Sequence, residues 1–336
     1  TKTVQIIMTK RNTLDVTQLP EWDLSDLYPS MTCPELDQDF KRLGELSSEF
    51  AATYKGKLAG LNAADILSSI TEYEVIEEIM TRIMSFAGLL HAGNVIDPEI
   101  SKFYQSCHEK ITQINTVLIF YTLEINRLED QQINSWLDSL PALTRYRPWF
   151  DGVRQYRPHQ LDDKLEELLM EKSIAGRAAW VRLFDETMAN LKFDYQDPKT
   201  GKVTSIGAEE ALDHLSDKDS GKRQAAAHCL SDTFEKNIRL FAHITNTLAK
   251  DKEIEDRWRH FPDCTSSRHL SNQVEKEVVD ALITAVKDAY PRLSHRYYRL
   301  KPNGLARTNL TGGTGTPPCP RMMTNSTNGR MRKKPY

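Results

Sequence analysis

The sequence predicts a mainly α fold, an elongated multi-helix bundle carrying one small β-hairpin. Three observations predict it. Apolar residues recur at helical spacing in one long segment after another up to Leu300. Start and stop signals separate these segments by short connections, which makes successive helices antiparallel neighbours. A single stretch, Phe193 to Ser205, breaks the helical period and has turn chemistry at its centre.

Leu19 to Ser30 reads LPEWDLSDLYPS. Two prolines and alternating apolar and acidic residues predict an extended arm ending in a turn. Trp22, Leu24, Leu27 and Tyr28 are expected to dock it on a larger body. Thr32 is expected to open the first helix, with Glu35 at capping-box spacing and Pro34 in the first turn. Leu36, Phe40, Leu43, Phe50 and Tyr54 form its buried stripe. Gly56 and Gly60 bracket the exit. Asn62 and Asp65 start a second helix whose face is Ile66, Ile70, Tyr73, Ile76, Ile83, Phe86 and Leu90, until Gly93-Asn94 stops it. Asp97-Pro98-Glu99 starts a third, with Asp as cap and Pro at the first position. Ile100, Tyr104, Cys107, Ile111, Ile114, Leu118, Tyr121 and Ile125 share its face.

Between Glu129 and Arg157 the helices shorten. Trp136, Leu137 and Leu140 pack, Pro141 ends that piece, and Pro148 begins another carrying Trp149, Phe150 and Val153. Arg145, Arg147, Arg154 and Arg157 lie near Trp149 and Tyr156; salt bridges and cation–π contacts on a solvated face explain them better than nucleic acid does. Leu161, Leu165, Leu168 and Leu169 start a further helix. Ser173 to Leu191 is another, with Trp180, Phe184 and Leu191 inward. In the hairpin, KFDY and KVTS flank QDPKTG. Gly207 to Leu215 is a short helix. A long one follows from about Asp217 to Phe261, with Ala226, Leu230, Phe234, Ile238, Phe241, Ile244 and Leu248 on its apolar side. Its last stretch, LAKDKEIEDRWRHF, alternates charge signs as an exposed face does. Pro262 ends it. Asn272, with Glu275 three residues on, is expected to cap a helix lined by Val278, Leu282, Val286 and Tyr290. After Pro291, LSHRYYRL adds a turn or two.

The 336 residues can hold one large domain or two ordinary ones. A net charge of −3 gives no argument for nucleic acid or a membrane surface. No apolar run approaches the ~20 residues that span a bilayer, and the start has no long apolar signal region. The sequence begins with Thr1, and Met8 is a candidate initiator. Five cysteines, Cys33, Cys107, Cys229, Cys264 and Cys319, form no CxxC pair. A reduced, cytoplasmic protein is expected, with Cys107, Cys229 and Cys264 in or near the core.

A helical zinc hydrolase uses HExxH, because imidazoles four apart share a helix face and the Glu between them can activate a metal-bound water. The nearest approach is His108-Glu109, but Thr112 stands at the partner position. His91, His159, His214, His228, His243, His260, His269 and His295 also have no partner at that spacing. They read as structural or surface histidines. Gly312-Gly313-Thr314-Gly315 lacks the Lys-Ser/Thr, the preceding strand and the following helix of a phosphate loop. No catalytic or metal-ligating residue is assigned, and the substrate-binding residues are unknown.

Four stretches nevertheless resemble a known family. They are LPEWDLSDLYPS, GRAAWVRLFDET (Gly176 to Thr187), RQAAAHCLSDTFEKNIRLFAHITNTLAKDKEIEDRW (Arg223 to Trp258), and SRHLSNQVEKEVVDALITAVKDAYPRLSHRYYRLK (Ser267 to Lys301). Together they resemble oligoendopeptidase F, of the M3 thimet-oligopeptidase-like zinc metallopeptidases, from about Leu19 to Lys301. The resemblance implies a helical two-lobed body with a deep channel and one zinc ion, cleaving short peptides in the cytoplasm. It also implies zinc on HExGH plus a further Glu, at a point after Leu300. No residue here matches that motif, so no zinc is expected on this chain. It is expected to be catalytically incompetent alone, and its oligomeric state is open. A non-catalytic helical binding or scaffold module is the alternative.

On this resemblance, residues 1–31 are an N-terminal arm and 32–191 a helical N-terminal lobe. Residues 192–301 are the incomplete start of a catalytic domain. From Pro302 to Tyr336 the apolar period is lost, and disorder is expected. A reading frame that slipped near Lys301 explains the change. One base back, Thr311 to Thr324 can be read as DWWDRNAPLPEDDD, similar to an acidic, Asn-Ala-Pro-Leu-Pro stretch of the family. Helices built to pack against further chain are expected to leave an apolar face exposed.

Overall fold

The computed structural model describes residues 22–304. Met8, Leu19, the Gly312–Gly315 stretch, Cys319 and residues 305–336 of the expected tail lie outside them; residues 302–304, where disorder is expected, instead continue the last helix.

Three long helices form the first body: α1 (Pro34–Tyr54), α2 (Ala63–Gly93) and α3 (Pro98–Leu118), each packed on the other two. Short connections make them antiparallel neighbours, as the spacing predicts. The start of α1 differs from expectation. Cys33, not Thr32, holds the N-cap position, without a side-chain bond, while Pro34 takes the first turn. Proline fixes φ in the helical range and lacks the N–H that a cap would otherwise satisfy. The other two starts follow the sequence. Asn62 accepts from the N–H groups of Ala64 and Asp65 at 2.9 and 3.0 Å. Asp97 accepts from Glu99 and Ile100 at 2.9 and 3.2 Å. Asn62→Ala is therefore expected to lower stability by about 1 kcal/mol in chemical unfolding; an unchanged midpoint would show that this cap is dispensable.

The arm docks through fewer residues than expected. Tyr28 is buried, and Leu24 and Leu27 pack beside it. The Tyr28 hydroxyl donates to Asp39 at 2.6 Å, and the Arg82 guanidinium lies 4.6 Å from the ring centre. Arg82 also donates to the Leu27 carbonyl at 2.7 Å. Trp22 is 90% exposed and docks on nothing.

The single face expected from Ile100 to Ile125 is divided between two helices. The regular pattern stops at Ile119, and α4 (Phe120–Arg127) begins directly after it. The interruption lets adjacent rings, Phe120 and Tyr121, both enter the core. Next come α5 (Asp130–Ser139), a 3₁₀ segment at Pro141–Tyr146, α6 (Arg147–Arg154) and α7 (Asp163–Lys172). Pro148 lies in the first turn of α6. Rings from several helices meet in one cluster, in which Phe50 lies 4.8 Å from Tyr54, 5.0 Å from Tyr121 and 6.0 Å from Phe120. The arginines of this region are used locally. Arg154 pairs with Asp130 and donates to the Leu128 carbonyl, and Arg145 stacks on Tyr146.

The helix expected from Leu161 begins two residues on, as α7; within it Leu168 and Leu169 are exposed and Glu166 is buried. One sequence expectation fails in α8 (Arg177–Asn190). In α8 no residue is fully buried, and Phe184 is 42% exposed. Trp180 and Phe184 lie along the next long helix, against His243 and Phe241, instead of entering a core.

The hairpin forms as predicted, with β1 (Phe193–Gln196) antiparallel to β2 (Val203–Ile206) and Phe193 opposite Ile206. Its turn holds Gly201 at φ +71°, the left-handed region that glycine enters without strain. Asp197 ties the turn by accepting from the N–H groups of Lys199 and Thr200. The hairpin, α9 (Ala208–His214) and the first half of α10 (Ser220–Trp258) enclose a second core of Phe193, Tyr195, Ile206, Ala226 and Leu230. Ile238, expected on the apolar side of α10, is exposed. Ion pairs lace the far end of α10, Lys250 with Glu253 and Lys252 with Asp256.

After α10 the sequence reading places a helix start one element too late. Asp263 accepts from the N–H groups of Thr265 and Ser266 at 2.8 and 3.0 Å in the turn that leads into an additional helix, α11 (Ser266–Ser271), whose N-cap is Thr265. Asn272 ends α11 instead of capping the next helix, and Glu275 precedes α12 (Lys276–Ala289). The last helix, α13 (Ser294–Gly304), is longer than the turn or two expected.

Candidate functional site

The histidines serve packing. His91 stacks on Tyr104 at 4.6 Å, His214 on Tyr195 at 4.6 Å and His159 on Phe261 at 3.9 Å. His243 meets Trp180 edge-on, and His295 lies against Tyr290. His260 occupies the left-handed position after α10, while His228 is exposed and His269 half-buried. His108 keeps Glu109 beside it and Thr112 one turn on. Burial first, then the Arg182 charge, lowers its pKa, with Glu109 opposing. Among the described residues no three His, Cys, Asp or Glu side chains converge as a metal set. Cys33, Cys107 and Cys229 are buried free thiols. Burial pushes the Cys107 thiol up to about 11, partly opposed by Lys110, so it is no nucleophile at neutral pH. Cys264, expected near the core, is exposed, in the loop between α10 and α11.

The most elaborate polar site joins the first body to the end of α10. Arg259 donates to both carboxylate oxygens of Glu166, at 2.7 and 2.9 Å, and its Nε donates to Glu255 at 2.8 Å. It also donates to the His159 carbonyl at 3.2 Å, while His159 Nδ1–H donates to the Arg259 carbonyl at 2.8 Å. Glu166 additionally accepts from the Leu161 N–H at 2.8 Å. Burial pushes the Glu166 carboxyl up, but the Arg259 and Leu161 hydrogen bonds and the Arg259 charge outweigh it and hold the pKa below normal. Fork-to-fork pairing of this kind is directional as well as strong. Beside it is an open hollow of about 400 Å³ lined by Asn126, Arg127, Arg157, Gln160, Leu161 and Asp162. Nothing in the sequence announces this junction, since its two main partners lie 93 positions apart.

The second site is apolar. Val278, Leu282 and Val286 on α12, and Tyr290 just past its end, the stripe expected to be buried, are all exposed, Leu282 64%. Leu293 and Leu300 continue the exposure along and beyond α13's start. The sequence expectation of an uncovered apolar face holds here. The expected inward packing of this stripe does not, because no described element lies over it. These sites offer surfaces and a joint; neither pairs a nucleophile with a base.

Comparison with known proteins agrees with this architecture. The family model Peptidase_M3_N, described as Oligopeptidase F, matches residues 124–193. An oligoendopeptidase F homolog of Lactococcus lactis subsp. lactis is 24% identical over 303 residues, covering 89% of this chain and 49% of that protein. Oligopeptidase PepF of Bacillus subtilis is 23% identical over 284 residues, covering 83% of this chain and 41% of that one. The crystal structure of oligoendopeptidase-F from Enterococcus faecium superposes with a TM-score of 0.75 at 22% identity, covering 85% of this chain and 56% of that one. The chain thus spans about half the length of the curated relatives it matches.

Proposed function

We propose, from the premise that the chain is an M3-family oligoendopeptidase F-like protein, that it is the N-terminal part of a zinc metalloendopeptidase that hydrolyses short peptides. One observation carries this reading: the likeness runs along 89% of the chain while using 49% of the relative. In this reading residues 32–191 are the helical lobe and 192–301 the opening of the catalytic domain. The two separate hydrophobic cores support that division. The described residues do not form a zinc site, because no three His, Cys, Asp or Glu side chains among them converge, and several histidines, such as His91 on Tyr104 and His159 on Phe261, are stacked on rings. The chain's role is therefore to shape the body around peptide substrates, with the metal held elsewhere in the intact enzyme. Buried free thiols support a cytoplasmic setting.

The test loads the purified chain with zinc, counts bound metal by mass spectrometry and follows a quenched fluorescent peptide. Bound zinc well below one per chain and no cleavage above blank are expected. Stoichiometric zinc with turnover overturns the reading. A free-standing scaffold module is disfavoured by the bare stripe on α12, since folded monomers seldom leave long apolar faces uncovered.

A further inference from the structure

The polar hollow beside the Glu166–Arg259 joint holds groups that the fold itself leaves unused. It lies where the C-terminal end of α4 meets the start of α7. Asn126 and Arg127 are the last two residues of α4, and Asp162 caps α7. Asn126 is only 4% exposed, yet its Oδ1 has no hydrogen-bond partner among the described residues. Gln160 uses its Nε2 on the Leu123 carbonyl at 3.3 Å and leaves its Oε1 buried and unpartnered. Buried polar side chains are normally paired, so two orphaned oxygens on residues lining one hollow need a reason. Such side chains end in a soft torsion, so a donor entering the hollow can draw the oxygens towards it. The charged groups of the lining add to this. Arg127 is taken up by Asp163. Arg157 is not taken up, since its Nη2 lies 3.9 Å from Glu129, beyond hydrogen-bond reach. Asp162 accepts from the Lys164 N–H at 3.0 Å through one oxygen, and its other oxygen meets no donor among the described residues. The C-terminal end of α4 adds partial negative charge on the acceptor side.

We propose that this hollow binds a small free α-amino acid as its zwitterion. The ammonium group, with three donors, meets Asn126, Gln160 and Asp162, and the carboxylate meets Arg157. A simple anion is disfavoured by Asp162 and a simple cation by Arg157, whereas a zwitterion matches both. A hollow of about 400 Å³ has room for a short side chain, and with Leu161 as its one apolar lining residue it suits a polar one such as that of serine.

Isothermal titration of the full chain with L-serine tests it, and saturable binding at one site is expected. N-acetyl-L-serine lacks the ammonium and L-serinamide lacks the carboxylate. Each is expected to bind at least about tenfold more weakly, the loss that goes with one charge-assisted hydrogen bond. Arg157→Gln should weaken L-serine by a similar factor and leave L-serinamide unchanged. Asp162→Asn keeps an oxygen to cap Lys164, and should weaken L-serine while leaving N-acetyl-L-serine unchanged. Asn126→Leu should abolish binding and raise the thermal midpoint, because an unpartnered buried amide gives way to an apolar side chain of similar size. The absence of saturable binding overturns the proposal. Equal affinity for N-acetyl-L-serine overturns it in favour of an anion site, and equal affinity for L-serinamide in favour of a cation site. Binding that survives Asn126→Leu, or a midpoint that falls in that variant, also overturns it. None of these readouts involves peptide cleavage or zinc, so this proposal and the proposed function can fail separately.

Discussion

Phe50→Ala is expected to cost about 4 kcal/mol of stability. Phe50 is almost wholly buried, and its ring touches partners from three helices: Tyr54 on α1, Tyr73 on α2, and Phe120 and Tyr121 on α4. Truncation removes the transfer free energy of a ring and leaves a void. The void cannot close cheaply, because each neighbour is held from another direction. Tyr121 is also tied through its hydroxyl to Ser69 at 2.8 Å. Guanidinium unfolding followed by far-ultraviolet circular dichroism measures the loss. A change below about 1 kcal/mol would mean that the cluster repacks freely. Trp22→Ala is the internal control, expected within about 0.5 kcal/mol because the ring faces water.

Glu166→Ala is the second, at about 2 kcal/mol, since it removes two charge-assisted hydrogen bonds from a half-buried Arg259 guanidinium, which keeps only Glu255 and the His159 carbonyl, and it frees the Leu161 N–H. The loss is local to the joint. It should appear as faster hydrogen exchange in α7 and the end of α10, with the Phe50 cluster unaffected. Uniform exchange across the chain would contradict it. Acid should mimic the substitution. The Glu166 carboxyl is held below its ordinary 4.5, so the native state binds fewer protons there than the unfolded one. Its stabilisation is complete above that value and is lost as pH falls through the lowered folded pKa. Wild-type protection of the α7 amides, measured against the intrinsic exchange rate, should therefore fall as pH drops below 4.5 through the lowered Glu166 pKa, and Glu166→Gln should flatten that dependence.

Much of the first body is legible in the sequence because its signals are local. The Asn62 and Asp97 caps, the Pro34 and Pro148 first turns and the stripes of α1 and α2 depend on residues within a few positions of one another. The hairpin is legible for the same reason, through Asp197, Pro198 and Gly201. Errors begin where the outcome depends on a distant neighbour. Leu168, Phe184 and Ile238 carry helical periodicity, but what covers a helix is decided by elements far along the chain. Asn272 has a cap's chemistry, yet α11 forms first and Asn272 closes its end. The Glu166–Arg259 joint could not be read at all, because a Glu inside a leucine-rich helix looks solvated until its partner is known. The resemblance to oligoendopeptidase F is carried by several runs in order, so it survives these local errors.

Helix α10 has 39 residues and is about 58 Å long at the usual rise per residue. One end is seated in the hairpin core through Ala226 and Leu230, and the other is riveted to α7 by Arg259. It therefore acts as a lever arm. A tilt of about 5° about the hairpin end sweeps the far end through about 5 Å over such a length. A displacement of that size exceeds the reach of the Arg259 hydrogen bonds, so the Arg259 junction and the His159–Phe261 stack at the far end, with the α8 rings along the middle, keep the rod's angle to within a few degrees.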